Sequence, residues 1–135
     1  MAYWLLKTEP GVYSFADLQR DGTTRWDGVT NNLALKHMRA MKRGDGVMIY
    51  HSGDEKAIVG FAEVAGAPYP NPKEKGEKIV VVDIKSKKSL KRAITLSEVK
   101  SKKEFSSFEL VRIPRLSVMP VSEQMWGALL DIANS

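Results

Sequence analysis

The sequence predicts an α+β domain: five to six mostly antiparallel strands in a strongly curved or closed sheet, with short flanking helices. Three observations carry this. Short apolar, β-branched stretches are bounded by Gly, Pro and Asp turns. Helical patterns fall early and late, without the regular strand–helix alternation of a doubly wound sheet. Residues 46–52 and 57–64 are joined by only "GDEK" (53–56), too short for a parallel crossover, so they read as a hairpin.

Each element has a local reason. "AYWLL" (2–6) is too short and aromatic for a globular helix and runs into "KTEP", which marks a strand and its exit. "YSFADLQRDG" (13–22) reads as a helix, with Ser14 and Asp17 forming a capping box and Gly22 ending it. In "TNNLALKHMRAMKRGD" (30–45), Asn31 or Asn32 can cap a helix whose Leu35, Met38 and Met41 recur at helical spacing. "GVMIYHS" (46–52) and "AIVGFAEV" (57–64) are the hairpin strands, and Gly60 inside the second marks a bulge or a close backbone approach. The Pro-rich segment 66–78 is a loop, followed by strands at 79–86 and 90–95. Thr95 and Glu98 form a second capping box over "LSEVK", "RLSVMPV" (115–121) is a strand, and Ser122 caps a last helix carrying Trp126.

A length of 135 residues suits one domain spanning 1–135, and 43% apolar with 27% charged residues suits neither a disordered tail nor a membrane protein. No stretch has the apolar length to span a bilayer. Lys7 and Glu9 interrupt the N-terminus too early for a secretory signal, and cysteine is absent; a cytoplasmic address is expected. The net charge is +5. Residues 1–72 carry 8 basic and 8 acidic side chains, whereas residues 73–135 carry 13 and 8. The densest run, "KSKKSLKR" (85–92), offers Lys85, Lys87, Lys88, Lys91 and Arg92 as contacts to a phosphate backbone. Its other reading is a solvated surface that keeps the chain monomeric.

The chemistry of catalysis finds little to hold. His37 and His51 lie on different elements, outside zinc-ligand spacing, and no serine sits in a G-x-S-x-G elbow. A local triad of His51, Ser52 and Asp54 is excluded because adjacent strand side chains point to opposite faces. Phosphate-binding glycine loops are missing, so no cofactor, metal or catalysis is expected. A pocket for a flat heterocycle asks for less: an aromatic face and a few edge donors and acceptors. Trp26 in "RWDGVTNN" is either such a wall or a lid over the sheet's end. Asp27 and Gly28 make a turn, and Asn31 and Asn32 can read a base edge or cap the helix. Tyr50 and Ser52 share a face at a strand exit, next to His51. Lys7 and Glu9 stand in the same two-residue relation, as phosphate and amine partners or as a surface ion pair.

"YWLLKTEP", "VYSFADL", "WDGVTNN", "GDGVMIYHS", "IVGFAEV", "YPNP" and "RLSVMPVSEQMW" together closely resemble the EVE domain family, in its order and across residues 3–126. That family is part of the PUA-like group and related to the YTH readers of methylated adenine. The resemblance implies a PUA-like pseudo-barrel whose pocket takes a flipped, modified base from DNA or RNA without catalysis. It places Trp26, Asp27, Gly28, Val29 and Asn31 in the pocket, with Lys7, Glu9, Tyr50, His51 and Ser52 around its mouth. Thr30 stands where the family commonly has Arg and Asn32 where it has an aromatic. Glu77 and Lys78 occupy a shortened loop in which many relatives carry a Trp. Two rivals remain: a small-molecule or nucleotide-processing enzyme on the same scaffold, which needs Glu9 and His51 to converge, and a protein-interaction module.

Overall fold

In a computed structural model describing residues 1–135, the chain runs β1 (Tyr3–Thr8), α1 (Phe15–Asp21), β2 (Thr23–Trp26), α2 (Asn32–Arg39), β3 (Gly46–His51) and β4 (Ala57–Val64). It continues through β5 (Tyr69–Pro70), β6 (Val80–Thr95), α3 (Leu96–Lys100), a 3-10 turn at Lys103–Phe105, α4 (Glu109–Arg112), β7 (Val118–Val121) and α5 (Glu123–Ala133). The capping boxes act as the sequence suggests at α1, where Ser14 Oγ accepts from Asp17 N and Asp17 accepts from Ser14 N. Asn31 caps α2, accepting from Ala34 N at 3.0 Å.

The sheet is open, in the order β2-β6-β4-β3-β1-β7, with β5 pairing on β6. This corrects the expected barrel closure and strand number: there are seven strands, and β2 and β7 do not pair. Instead α2 packs against β7, one end strand, and against β6, the neighbour of the other end strand. Every pair is antiparallel except β1–β3, which runs parallel because α1, β2 and α2 supply the long connection that a parallel pair requires. The expected strands 79–86 and 90–95 are one strand, β6. Its register against β4 slips at Lys87 and again over residues 90–93, so it stays continuous while bending.

Gly60 answers to both readings of a strand glycine. The β3–β4 register skips Val59, a bulge, and the ring of Phe15 from α1 lies against the Gly60 Cα where a side chain would stand. Buried Asp45, just before β3, ties the sheet's start together. Its carboxylate accepts from Trp4 Nε1 (2.9 Å), Lys42 N (2.9 Å) and Ala2 N (3.2 Å). One cluster of 32 buried residues, from Trp4 to Ala133, forms the core. No helix is long and apolar enough to cross a membrane.

Candidate functional site

The parallel pairing of β1 with β3 brings two distant motifs together at one edge. Lys7 lies opposite Tyr50 and Thr8 opposite His51, so the exits of "KTEP" and "YHS" stand side by side. The end of β2 and the segment before β7 approach the same rim, where Ser117 O accepts from Lys7 N at 2.9 Å. Two adjoining clefts result, sharing Lys7, Thr8 and Ser117.

The first cleft holds about 470 Å³ and is lined by Thr24, Arg25, Trp26, Asp27, Gly28 and Val29, from β2 and the turn after it, and by Val12 and Tyr13. That volume lies in the range of small-molecule sites. Trp26 is only 7% exposed and belongs to the core, so its indole is a fixed wall and not a free platform. The Tyr13 ring meets it edge-on, with centroids 6.4 Å apart. Gly28 turns the chain at φ 80°, a conformation that glycine adopts without strain. Burial raises the Tyr13 pKa, and its hydroxyl donates to Asp21 at 2.8 Å, which acts in the same direction.

The second cleft, about 410 Å³, is lined by Glu9, Tyr50, Ser52, Gly53, Lys56 and Arg115 together with the shared residues. Lys7 Nζ donates to Pro114 O at 2.8 Å and lies 5.4 Å from the centroid of the Tyr50 ring. Burial lowers the Lys7 pKa and raises that of Tyr50, because in each case the charged form is the one desolvation penalises.

Other candidates lie elsewhere. His51 faces away from Tyr50 and Ser52, as alternation demands: its Nε2 accepts from Phe15 N (2.9 Å), and its Nδ1 is 2.7 Å from Glu55 Oε1. The first bond requires an unprotonated Nε2, which assigns the neutral ring's proton to Nδ1 and makes Glu55 its acceptor. Asn31 and Asn32 are exposed, and neither lines either of the two clefts. Lys87 and Lys88 line a separate hollow of about 580 Å³ with Tyr3, Phe61 and Trp126, which shares no residue with the two clefts. Lys85 and Lys91 are exposed, and Arg92 makes two 2.9 Å bonds to Glu98. Sequence reasoning did not single out Tyr13, Arg25, Lys56, Arg115 or Ser117. Recognising β2 would have pointed to Thr24 and Arg25, but nothing local marks Arg115. No group of three or more His, Cys, Asp or Glu could hold a metal.

The arrangement is a mixed α+β fold of the PUA-like kind. A Zymomonas mobilis ASCH protein shares it at 14% identity and a TM-score of 0.62, over 96% of this chain and 94% of its own, which bears on fold alone. The EVE domain profile matches residues 2–132, and the chain belongs to the EVE domain family. Human thymocyte nuclear protein 1 is 32% identical over 97% of this chain and 73% of its own length. A Rhodopseudomonas palustris protein solved by NMR superposes with a TM-score of 0.95 at 40% identity, covering 99% of this chain and 94% of its own. The crystal structure of human THYN1 in complex with 5-methylcytosine-containing DNA superposes with a TM-score of 0.90 at 29% identity, covering 100% and 99%.

Proposed function

We propose that this chain, acting as one domain over residues 1–135 and as a monomer, binds DNA or RNA and receives a flipped, modified base in the Trp26 cleft without catalysis. The observation that carries this reading is the human relative of the same fold in complex with 5-methylcytosine-containing DNA. The cleft supports it in size, in its Trp26 and Tyr13 walls, and in the polar groups of Asp27, Thr24 and Arg25 along its rim. Lys7, Glu9, Tyr50 and Ser52 flank the mouth. Lys85, Lys87, Lys88 and Lys91 add a positive field that draws a polyanion in at longer range.

The energetics set what the cleft must do. Extruding a base costs a few kcal/mol, whereas stacking returns about 1–3 kcal/mol per base, so edge hydrogen bonds must supply the remainder. One methyl group in an apolar niche discriminates by roughly 1–3 kcal/mol. The test is a fluorescence-anisotropy titration of DNA and RNA oligonucleotides with and without 5-methylcytosine. Trp26→Phe keeps an aromatic ring at the core's edge, and Asp27→Ala leaves the core untouched. Preferential binding of a modified strand that both variants weaken is expected. Equal, negligible binding of every oligonucleotide would refute the reading.

A further inference from the structure

We propose that Lys7, Lys56 and Arg115 form a phosphate site that grips the nucleic-acid backbone beside the base cleft. This rests on the function proposed above and names residues that the basic run of the sequence does not contain. The three cations come from separate segments: the end of β1, the turn joining β3 to β4, and the link between α4 and β7. They line one cleft with the Ser52 hydroxyl, and its only carboxylate is Glu9. Neither Lys56 nor Arg115 belongs to any ion pair of the molecule, whereas Arg20 and Arg92 are held by Asp17, Asp21 and Glu98. A phosphate placed there meets cations whose charge no protein carboxylate already neutralises, the arrangement that favours charge-assisted bonds.

The backbone gives a second, independent sign. Lys56 is the sole non-glycine residue with positive φ, at 47°. A lysine gains nothing locally from that region, which Gly or Asn occupies at lower cost. Its carbonyl is held there by the Leu96 N–H at 2.8 Å. Strain of this kind gathers at functional positions, and here it sets Lys56 at the cleft rim. Position then fixes the role. The cleft shares Lys7, Thr8 and Ser117 with the base cleft, so an anion in it belongs to the nucleotide whose base is bound or to its immediate neighbour. Lys87 and Lys88 line a hollow without that continuity.

The experiment compares wild type, Lys56→Asn with Arg115→Gln, and Lys87→Gln with Lys88→Gln, in binding 5-methylcytosine-containing and unmodified DNA oligonucleotides over a series of salt concentrations. Asn tolerates positive φ, so Lys56→Asn should leave thermal stability unchanged or slightly raised while binding falls. The Lys56/Arg115 pair should lower affinity by roughly ten-fold or more at low salt and reduce the salt slope by about 2. The ratio of modified to unmodified affinity should hold, because a phosphate contact reads no base. The Lys87/Lys88 pair should change the slope less. Wild-type affinity and slope in the Lys56/Arg115 variant would overturn the site while leaving the base cleft standing. Should the wild type bind no oligonucleotide, the functional reading fails, and an NMR titration with inorganic phosphate decides the site separately. Amide shifts at Ser52, Gly53 and Lys56 that vanish in the variant support it; unchanged amides overturn it.

Discussion

Gly60→Ala is a one-methyl perturbation whose cost can be worked from geometry. A Cβ at this position would meet Cε1 of Phe15 at 2.5 Å and overlap two further ring atoms, roughly 1 Å short of ordinary contact. The strand cannot yield, because Gly60 pairs with Ile49 on one side and Ser89 on the other. The Phe15 ring must therefore move, and it is 3% exposed at the first residue of α1. Overpacking of this kind costs about 1–3 kcal/mol. For a domain of this size that lowers Tm by roughly 3–12 °C, at about 3–4 °C per kcal/mol. Thermal unfolding followed by tryptophan fluorescence measures the Tm, and chemical denaturation the free energy. Phe15→Leu, harmful alone, should be less harmful in the Gly60→Ala background, with a coupling of about 1 kcal/mol or more in a double-mutant cycle. A Tm unchanged within error, or strict additivity of the two substitutions, would refute the claim that Phe15 packs on a bare backbone.

Three further outcomes follow from single contacts. Asp45→Asn places an amide donor against the N–H groups that the carboxylate now receives, and should cost about 1.5–3 kcal/mol in denaturant unfolding. His51→Leu leaves the Phe15 N–H without its acceptor and should cost about 1–3 kcal/mol, with His51→Gln milder; equal effects would show that the bond contributes nothing. Burial holds the Lys7 pKa below 10.5, so between its folded value and 10.5 the unfolded chain carries more protons and the Lys7 contribution to stability rises with pH. Lys7→Met should therefore be relatively most stabilising near neutral pH, its advantage shrinking as pH climbs through that window. A difference that stays constant from neutral pH upward would contradict it.

How much of this was legible depended on whether a signal was local. The caps Ser14, Asn31, Thr95 and Ser122 lie within three residues of the N–H groups they receive, so sequence spacing showed them. Gly60 was legible because only a missing side chain admits a ring there. β2 was not: its four residues "TTRW" pair only with β6, and Trp26 takes its burial from that long-range partner. The parallel β1–β3 pair was equally hidden, although it is what sets Lys7 against Tyr50. His51 was the subtler case. Its place at the strand exit was correct, but the odd-even alternation that joins Tyr50 to Ser52 turns His51 to the other face, toward Phe15.

The same distinction bears on electrostatics. A dense run such as residues 85–92 concentrates charge along the chain, but on a strand successive side chains leave on opposite faces. Register slips at Lys87 and residues 90–93 break that alternation locally, and Lys87 and Lys88 share one hollow, but it has no residue in common with the base cleft. Lys7, Lys56 and Arg115 are 49 and 59 residues apart in sequence yet line one cleft, because β1 and β3 end together and the segment before β7 returns to that edge. A charged run therefore speeds the approach of a polyanion. Holding one phosphate depends on where strands end, and in this fold the parallel pair decides that.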